Sequence, residues 1–174
     1  MSIVTLTGFM GTGKTTVGKR LAEALGKPFV DTDALIEVRA GASVAEIFAN
    51  QGEAHFRALE REVVAEAVQA DAVVATGGGA IVDDVNYRAM HAAGPIVCLQ
   101  ASPETLVRRT GHDRSRPLLN DPKRRERISA LLAERAAMYA RADLTIDTTG
   151  TPVSQVVKRI RTFLRDYTAE KVAS

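Results

Sequence analysis

Five short apolar runs punctuate the chain, and the segments between them are amphipathic. The runs are Ile3-Val4-Thr5-Leu6-Thr7, Phe29-Val30, Ala72-Val73-Val74-Ala75, Ile96-Val97-Cys98-Leu99 and Leu144-Thr145-Ile146. None contains a charge and each is too short for a buried helix, so each predicts a strand covered on both faces. After the first run, Val17, Leu21, Ala22 and Leu25 recur at helical spacing, and Gly26 and Pro28 end that helix. Residues 43–69 carry the same period through Phe56, Leu59, Val63 and Ala67, with Ser43 as N-cap and Glu46 completing a capping box. Ser102-Pro103 opens another helix, with proline at its first position. A helix over 123–141 shows Ile128, Leu131, Leu132 and Ala136, and a last helix covers 153–165, followed from Tyr167 by a polar tail expected to fray.

Strand and helix alternating without repeat, linker or low-complexity tract predict one α/β domain with a parallel sheet between two helical layers. Right-handed crossovers limit the topologies open to it. Ligands of such sheets bind outside the carboxyl ends of the strands, so the chemistry belongs just after each apolar run.

Composition narrows this only by exclusion. At 174 residues the chain is long enough for one substantial core. A net charge of +2 gives no reason to expect nucleic acid or a membrane surface as partner. No apolar run approaches the roughly 18 residues of a spanning helix. The sequence enters its first strand without a basic and then apolar leader, so a cytoplasmic protein is expected. Cys98 is the only cysteine, sits inside an apolar run, and is expected to be a buried small hydrophobe. His91 and His112 have no ligand partners at useful spacing, so no protein metal site is expected beyond a substrate-linked Mg²⁺.

The first strand leads into Gly8-Phe9-Met10-Gly11-Thr12-Gly13-Lys14-Thr15, the G-x-x-x-x-G-K-T pattern, and a helix follows at once. Strand, glycine loop and helix is the context in which this pattern binds a nucleoside triphosphate. Glycines let successive N–H groups converge on one anion, and the helix adds its N-terminal donors and dipole. Lys14 is placed to reach the β- and γ-phosphates and the Thr15 hydroxyl to hold Mg²⁺.

After the second run come Asp31 and Asp33, two carboxylates at a strand's carboxyl end. One suits Mg²⁺ through water, the other a hydroxyl nucleophile to be oriented or deprotonated; a plainer alternative has Asp33 capping the helix that begins at Ala34. After the third run stands Gly77-Gly78-Gly79, a costly triplet that implies close approach of a ligand or another backbone. No aspartate ends that strand, which argues against a water-activating hydrolase and for a small kinase. Arg57 reads locally as a helix-surface arginine pairing with glutamates at helical spacing, and His55 as exposed. From Arg108 to Arg127 there are eight basic and three acidic residues around a glycine- and proline-punctuated stretch. That stretch reads either as a lid supplying an arginine to the transferring phosphoryl or as an ordinary basic loop.

Taken together, the chain from Ile3 to about Leu164 resembles the shikimate kinases, of the nucleoside-monophosphate-kinase-like P-loop fold. The resemblance rests on the loop at 8–15, D-T-D at 31–33, I-F-A-N-Q-G-E-x-x-F-R at 47–57 and G-G-G at 77–79. It continues through R-R-T-G at 108–111, R-P-L-L at 116–119 and E-R-A-x-x-Y at 134–139. It implies a three-layer fold with a five-stranded parallel sheet of order 2-3-1-4-5, a substrate-binding region over about 33–61 and a lid over about 110–124. It also implies transfer of the γ-phosphoryl of ATP to the 3-hydroxyl of shikimate, in the route to aromatic amino acids, by a monomer.

Residue by residue, the resemblance implies that Lys14, Asp33 and Arg116 are catalytic. Gly11, Thr12, Gly13, Lys14, Thr15, Thr16, Arg109 and Arg116 would hold ATP, with Arg109 against the adenine. Asp33, Arg57, Gly78, Gly79 and Arg135 would hold shikimate, and Thr15 directly with Asp31 through water would hold Mg²⁺. Some members carry an arginine near the adenine in the loop after the last strand; here that loop is Thr149-Gly150-Thr151-Pro152. A gluconate kinase of the same fold, or an ATP-binding regulator without catalysis, are the alternative functions.

Overall fold

Strand β1 (Val4–Thr7) forms the middle of the sheet, which the computed structural model describes with the rest of residues 3–111 and 123–173. Strands β2 (Phe29–Asp31), β3 (Val73–Ala75), β4 (Ile96–Gln100) and β5 (Leu144–Asp147) complete it in the order β2-β3-β1-β4-β5. Every pairing is parallel, with Leu6 opposite Ala75 on one side and Val97 on the other. The five apolar runs are therefore the five strands, in the predicted order.

Alternation along each strand divides the core into two layers. Val4, Leu6, Val73, Val97 and Leu99 pack on one face against α1 (Lys14–Leu25) and α7 (Val153–Ala173). Ile3, Val74, Ile96 and Cys98 pack on the other, against α3 (Val44–Ala67), α4 (Asp84–Ala93) and α6 (Arg124–Tyr139). Each fully buried Leu or Ile contributes about 1.5–3 kcal/mol by leaving water. The Cys98 thiol, pushed up to about 11 by burial, is the inert hydrophobe expected of it. Among the described residues, no helix is long and apolar enough to cross a membrane.

A third, smaller cluster of Ile36, Ile47, Phe56 and Val63 joins α2 (Thr32–Ala40) to α3 beside the carboxyl ends of β2 and β3. The Ser43–Glu46 capping box forms as read. Three local expectations change. The 43–69 helix is broken at Gly52 (φ 82°, ψ 170°), a conformation that a side-chain-bearing residue resists, so two helical pieces meet there at an angle. Asp31, not Asp33, caps α2, its Oδ1 accepting from the N–H groups of Asp33 and Ala34 at 3.0 and 3.3 Å. That cap leaves the Asp33 side chain for the cleft. Finally, α7 continues to Ala173 instead of fraying at Tyr167, because Tyr167 extends its stripe and meets Phe163 with ring centroids 5.6 Å apart.

Candidate active site

The loop between β1 and α1 is folded by its own main chain. Gly8 takes φ 131°, and a Cβ there would stand 2.1 Å from the Leu99 carbonyl oxygen, so no other residue fits under the loop. The Thr12 N–H and hydroxyl both donate to the Phe9 carbonyl, at 3.3 and 2.8 Å. Thr12 thus turns inward, while Gly11, Gly13, Lys14, Thr15 and Thr16 line an open cleft. Lys14 Nζ donates to the carbonyls of Gly8 (2.6 Å) and Phe9 (3.0 Å), resting across the loop's concave side. Thr15 Oγ1 lies 3.3 Å from Asp31 Oδ2, so Asp31 gives one oxygen to the α2 cap and turns the other toward the loop.

Asp33 lines this cleft and also a second cavity, and Met10 and Gly77 are likewise common to both. The second cavity carries Arg57 from α3 and Arg135 from α6, with Gly77, Gly78 and Gly79 as its floor. Residues predicted from five separate stretches of sequence thus converge at the carboxyl edge of the sheet. One wall is apolar, made by Val44, Phe48 and Phe56, the two rings 4.7 Å apart. Arg135 is nearly buried, with its guanidinium 5.8 Å from the Phe9 ring centroid. Arg57 Nη1 donates to Glu60 Oε2 at 2.8 Å and its Nη2 lies 3.4 Å from Glu53 Oε1. Two guanidinium groups beside an apolar wall suit a small carboxylate with a carbon ring or chain.

Comparison with known proteins identifies the family. A family model described as shikimate kinase matches residues 10–165. A shikimate kinase of Moorella thermoacetica is 47% identical over 165 residues, covering 94% of this chain and 95% of that one. The chain belongs to the shikimate kinase family. A shikimate kinase of Geobacter metallireducens is 49% identical over 162 residues, covering 92% of this chain and 90% of that one. Among solved structures, shikimate kinase from Acinetobacter baumannii in complex with shikimate superposes with a TM-score of 0.92 at 36% identity, covering 95% of this chain and 94% of that one. The observed strand order is the one the resemblance to shikimate kinases implied.

Within this shikimate kinase fold, Glu60 is the residue that sequence reasoning missed. It is fully buried, and its Oε1 has no hydrogen-bond partner among the described residues. Burial pushes its carboxyl above the usual range, and the Arg57 charge opposes that rise. The i,i+3 spacing from Arg57 was the available signal, but spacing alone does not distinguish a buried partner from a solvated one. The apolar wall was missed for a similar reason: Val44 and Phe48 precede the Gly52 break, which aims them differently from the stripe at Phe56.

The glycine triplet is now explained position by position. A Cβ at Gly77 would lie 2.7 Å from Asp33 Oδ1 and 3.1 Å from Glu60 Oε1. At Gly78 it would meet the Gly8 carbonyl at 3.2 Å, and at Gly79 the Arg57 Nη2 at 2.6 Å. The close approach is thus made by two carboxylates, the nucleotide loop and a guanidinium in turn. Because the atom in the way at Gly79 ends a flexible side chain, Gly79→Ala is expected to fold normally and displace Arg57. Its KM for the carboxylate substrate should rise about tenfold while the protein still melts as a folded domain, as steady-state kinetics and thermal melting would show.

Arg109 Nη1 donates to the Gly11 carbonyl (3.2 Å) and Thr148 Oγ1 (3.0 Å), and Nη2 to the Thr148 carbonyl (3.0 Å). These bonds lie in the guanidinium plane and pin it beside the nucleotide loop, leaving the planar face as the part able to stack on a base. The loop 149–152 is held instead by Thr149 Oγ1, which accepts from the Ser102 N–H at 2.9 Å. Arg116 and most of the predicted lid lie outside the described residues.

Proposed function

We propose that this chain transfers the γ-phosphoryl group of ATP to the 3-hydroxyl of shikimate, giving shikimate 3-phosphate and ADP. The observation that carries this is the position of Asp33, shared by the phosphate-loop cleft and the two-arginine cavity. A hydroxyl held at that carboxylate faces a phosphoryl group held by the loop. Family membership and the likeness to a shikimate-bound relative supply the acceptor's identity.

Arg57 and Arg135 hold the acceptor carboxylate, and the Gly78 and Gly79 N–H groups, which have no partners among the described residues, face its ring. Asp33 accepts a hydrogen bond from the 3-hydroxyl, orients its oxygen for in-line attack, and takes its proton as the new O–P bond forms and the bond from the γ-phosphorus to the bridging oxygen breaks. In a loose transition state proton transfer is late, so positioning is the larger part of this role. Lys14 leaves the Gly8 and Phe9 carbonyls for the phosphates and stabilises charge on the equatorial and leaving oxygens. Gly11, Gly13 and Thr16 present main-chain groups to the phosphates, Thr12 shapes the loop from within, and Arg109 stacks on the adenine. Regions 33–61 and 110–124 act as acceptor-binding segment and lid, and Arg116 comes from the lid to the phosphates.

Hydroxyl and carboxylate oxygens 3.3 Å apart at the phosphate cleft are a donor set that fits Mg²⁺. Thr15 would hold the ion directly and Asp31 through water. Bound with the nucleotide, Mg²⁺ would neutralise phosphate charge. The enzyme acts as a cytoplasmic monomer in this reading.

Coupled measurement of ADP release with shikimate, with gluconate and with no acceptor tests the assignment. Rapid turnover is expected with shikimate alone. Preference for gluconate would replace the acceptor, and equal rates in all three arms would reject an acceptor kinase.

A further inference from the structure

We infer that Tyr139 is a positioning residue for the acceptor, acting through the peptide bond between Gly78 and Gly79; the inference rests on the proposed function. Tyr139 sits on α6 one turn after Arg135 and is only 2% exposed. Its hydroxyl donates to the Gly78 carbonyl at 2.7 Å, across 61 residues of sequence. Burial pushes its phenol up, with the Arg135 charge opposing, so the phenol stays protonated and remains a donor at neutral pH.

The direction of this bond gives it a consequence. Tyr139 does not line the acceptor cavity. It lines the neighbouring one behind the phosphate loop, with Phe9, Thr12 and Leu99. In a planar trans peptide the C=O and the next N–H point oppositely. Holding the Gly78 carbonyl on the hidden side therefore turns the Gly79 N–H toward the cavity that Gly79 does line. No other hydrogen bond among the described residues fixes that peptide: neither Gly78 N–H nor Gly79 N–H has a partner, and the nearest bonds are from Ala80 N–H to the Gly77 carbonyl and from Val82 N–H to that of Gly79. Glycines on both sides make the peptide plane easy to rotate. Gly78 also packs on the phosphate loop, where a Cβ would meet the Gly8 carbonyl at 3.2 Å and Met10 N at 3.4 Å.

One helix thus sets two contacts to the acceptor, the Arg135 guanidinium directly and the Gly79 N–H through Tyr139. Their separation is held by the rigidity of α6 and one buried hydrogen bond. An acceptor that presents its carboxylate and hydroxyls at that separation is selected.

The test is Tyr139→Phe in the full chain, which keeps the buried ring and removes only the donor. The expected result is a shikimate KM raised about tenfold, with ATP KM and kcat within about twofold. In ¹⁵N-labelled protein titrated with shikimate, the Gly79 amide should shift on binding in the wild type and shift much less in the variant at equal occupancy. Unchanged shikimate KM and an unchanged Gly79 response would overturn the inference. So would parallel loss of shikimate affinity, ATP affinity and Tm, because Tyr139 would then only support the core. Failure of the wild type to phosphorylate shikimate would instead remove the functional reading, and is scored before any variant is compared.

Discussion

Replacing Lys14 with Ala is expected to lower kcat by about a hundredfold or more while leaving the fold in place. The fold should survive because Lys14 is the first residue of α1, where Ala is a good helix former, and because its bonds to the Gly8 and Phe9 carbonyls are side-chain contacts within one local loop. Those two bonds hold the loop before nucleotide arrives, and their loss should cost no more than about 1 kcal/mol each. Turnover should not survive. In the proposed reaction the ammonium is the cation that the loop brings to the phosphates, and its stabilisation grows as charge moves to the leaving oxygen. The readouts are steady-state turnover with ATP and shikimate and a thermal melt of the same preparation. Activity within twofold of wild type would remove the nucleotide-loop assignment, and a melt showing no folded protein would remove the claim that Lys14 is dispensable for folding.

Arg57→Ala carries the second large effect, and it has two separable parts. The first is loss of a charge-assisted fork to the acceptor carboxylate, expected to raise the shikimate KM about thirtyfold or more while ATP KM moves little. Equal effects on both substrates would argue against a carboxylate clamp. The second part comes from Glu60, which is left buried without its 2.8 Å partner. Burial already pushes the Glu60 carboxyl up, and removing the opposing Arg57 charge raises it further. A carboxyl whose proton is held more tightly in the folded chain than in the unfolded one contributes stability fully in acid and loses it as pH rises through the folded value. The Tm difference between wild type and Arg57→Ala should therefore widen above the ordinary glutamate range, once pH passes the raised wild-type Glu60 value, and on toward neutrality. Adding Glu60→Gln should remove that widening without restoring the shikimate KM. A Tm difference independent of pH would mean that Glu60 does not depend on Arg57 for its charge.

The architecture was readable in advance because it follows from local physics. Uncharged apolar runs of a few residues, separated by helical stripes, admit few arrangements other than a covered parallel sheet. The glycine loop carries its own geometry within eight consecutive residues, so its chemistry is nearly independent of the rest of the chain. Asp31 and Asp33 were visible as a pair, but which of them caps the helix depends on the backbone direction at the end of β2, which residue types do not specify. Gly52 shows the same limit within a helix, since a favourable apolar period runs through a residue whose actual conformation breaks it.

Acceptor chemistry was not local in this way. Arg57 and Arg135 are 78 positions apart, and apart from the family resemblance each reads as an ordinary helix arginine. The packing of α3 and α6 around the Gly77–Gly79 loop brings both into one cavity, which the proposed function reads as a carboxylate clamp. Burial also changes Glu60 from a helix-surface residue into a buried partner of Arg57. The sequence therefore specified a parallel α/β sheet and a phosphate-binding loop, whose determinants lie within a few residues of one another. The meeting of Asp33, Arg57, Glu60, Gly79, Arg135 and Tyr139 depended on tertiary packing, because contacts among residues distant in the chain arise only when the layers close over the sheet.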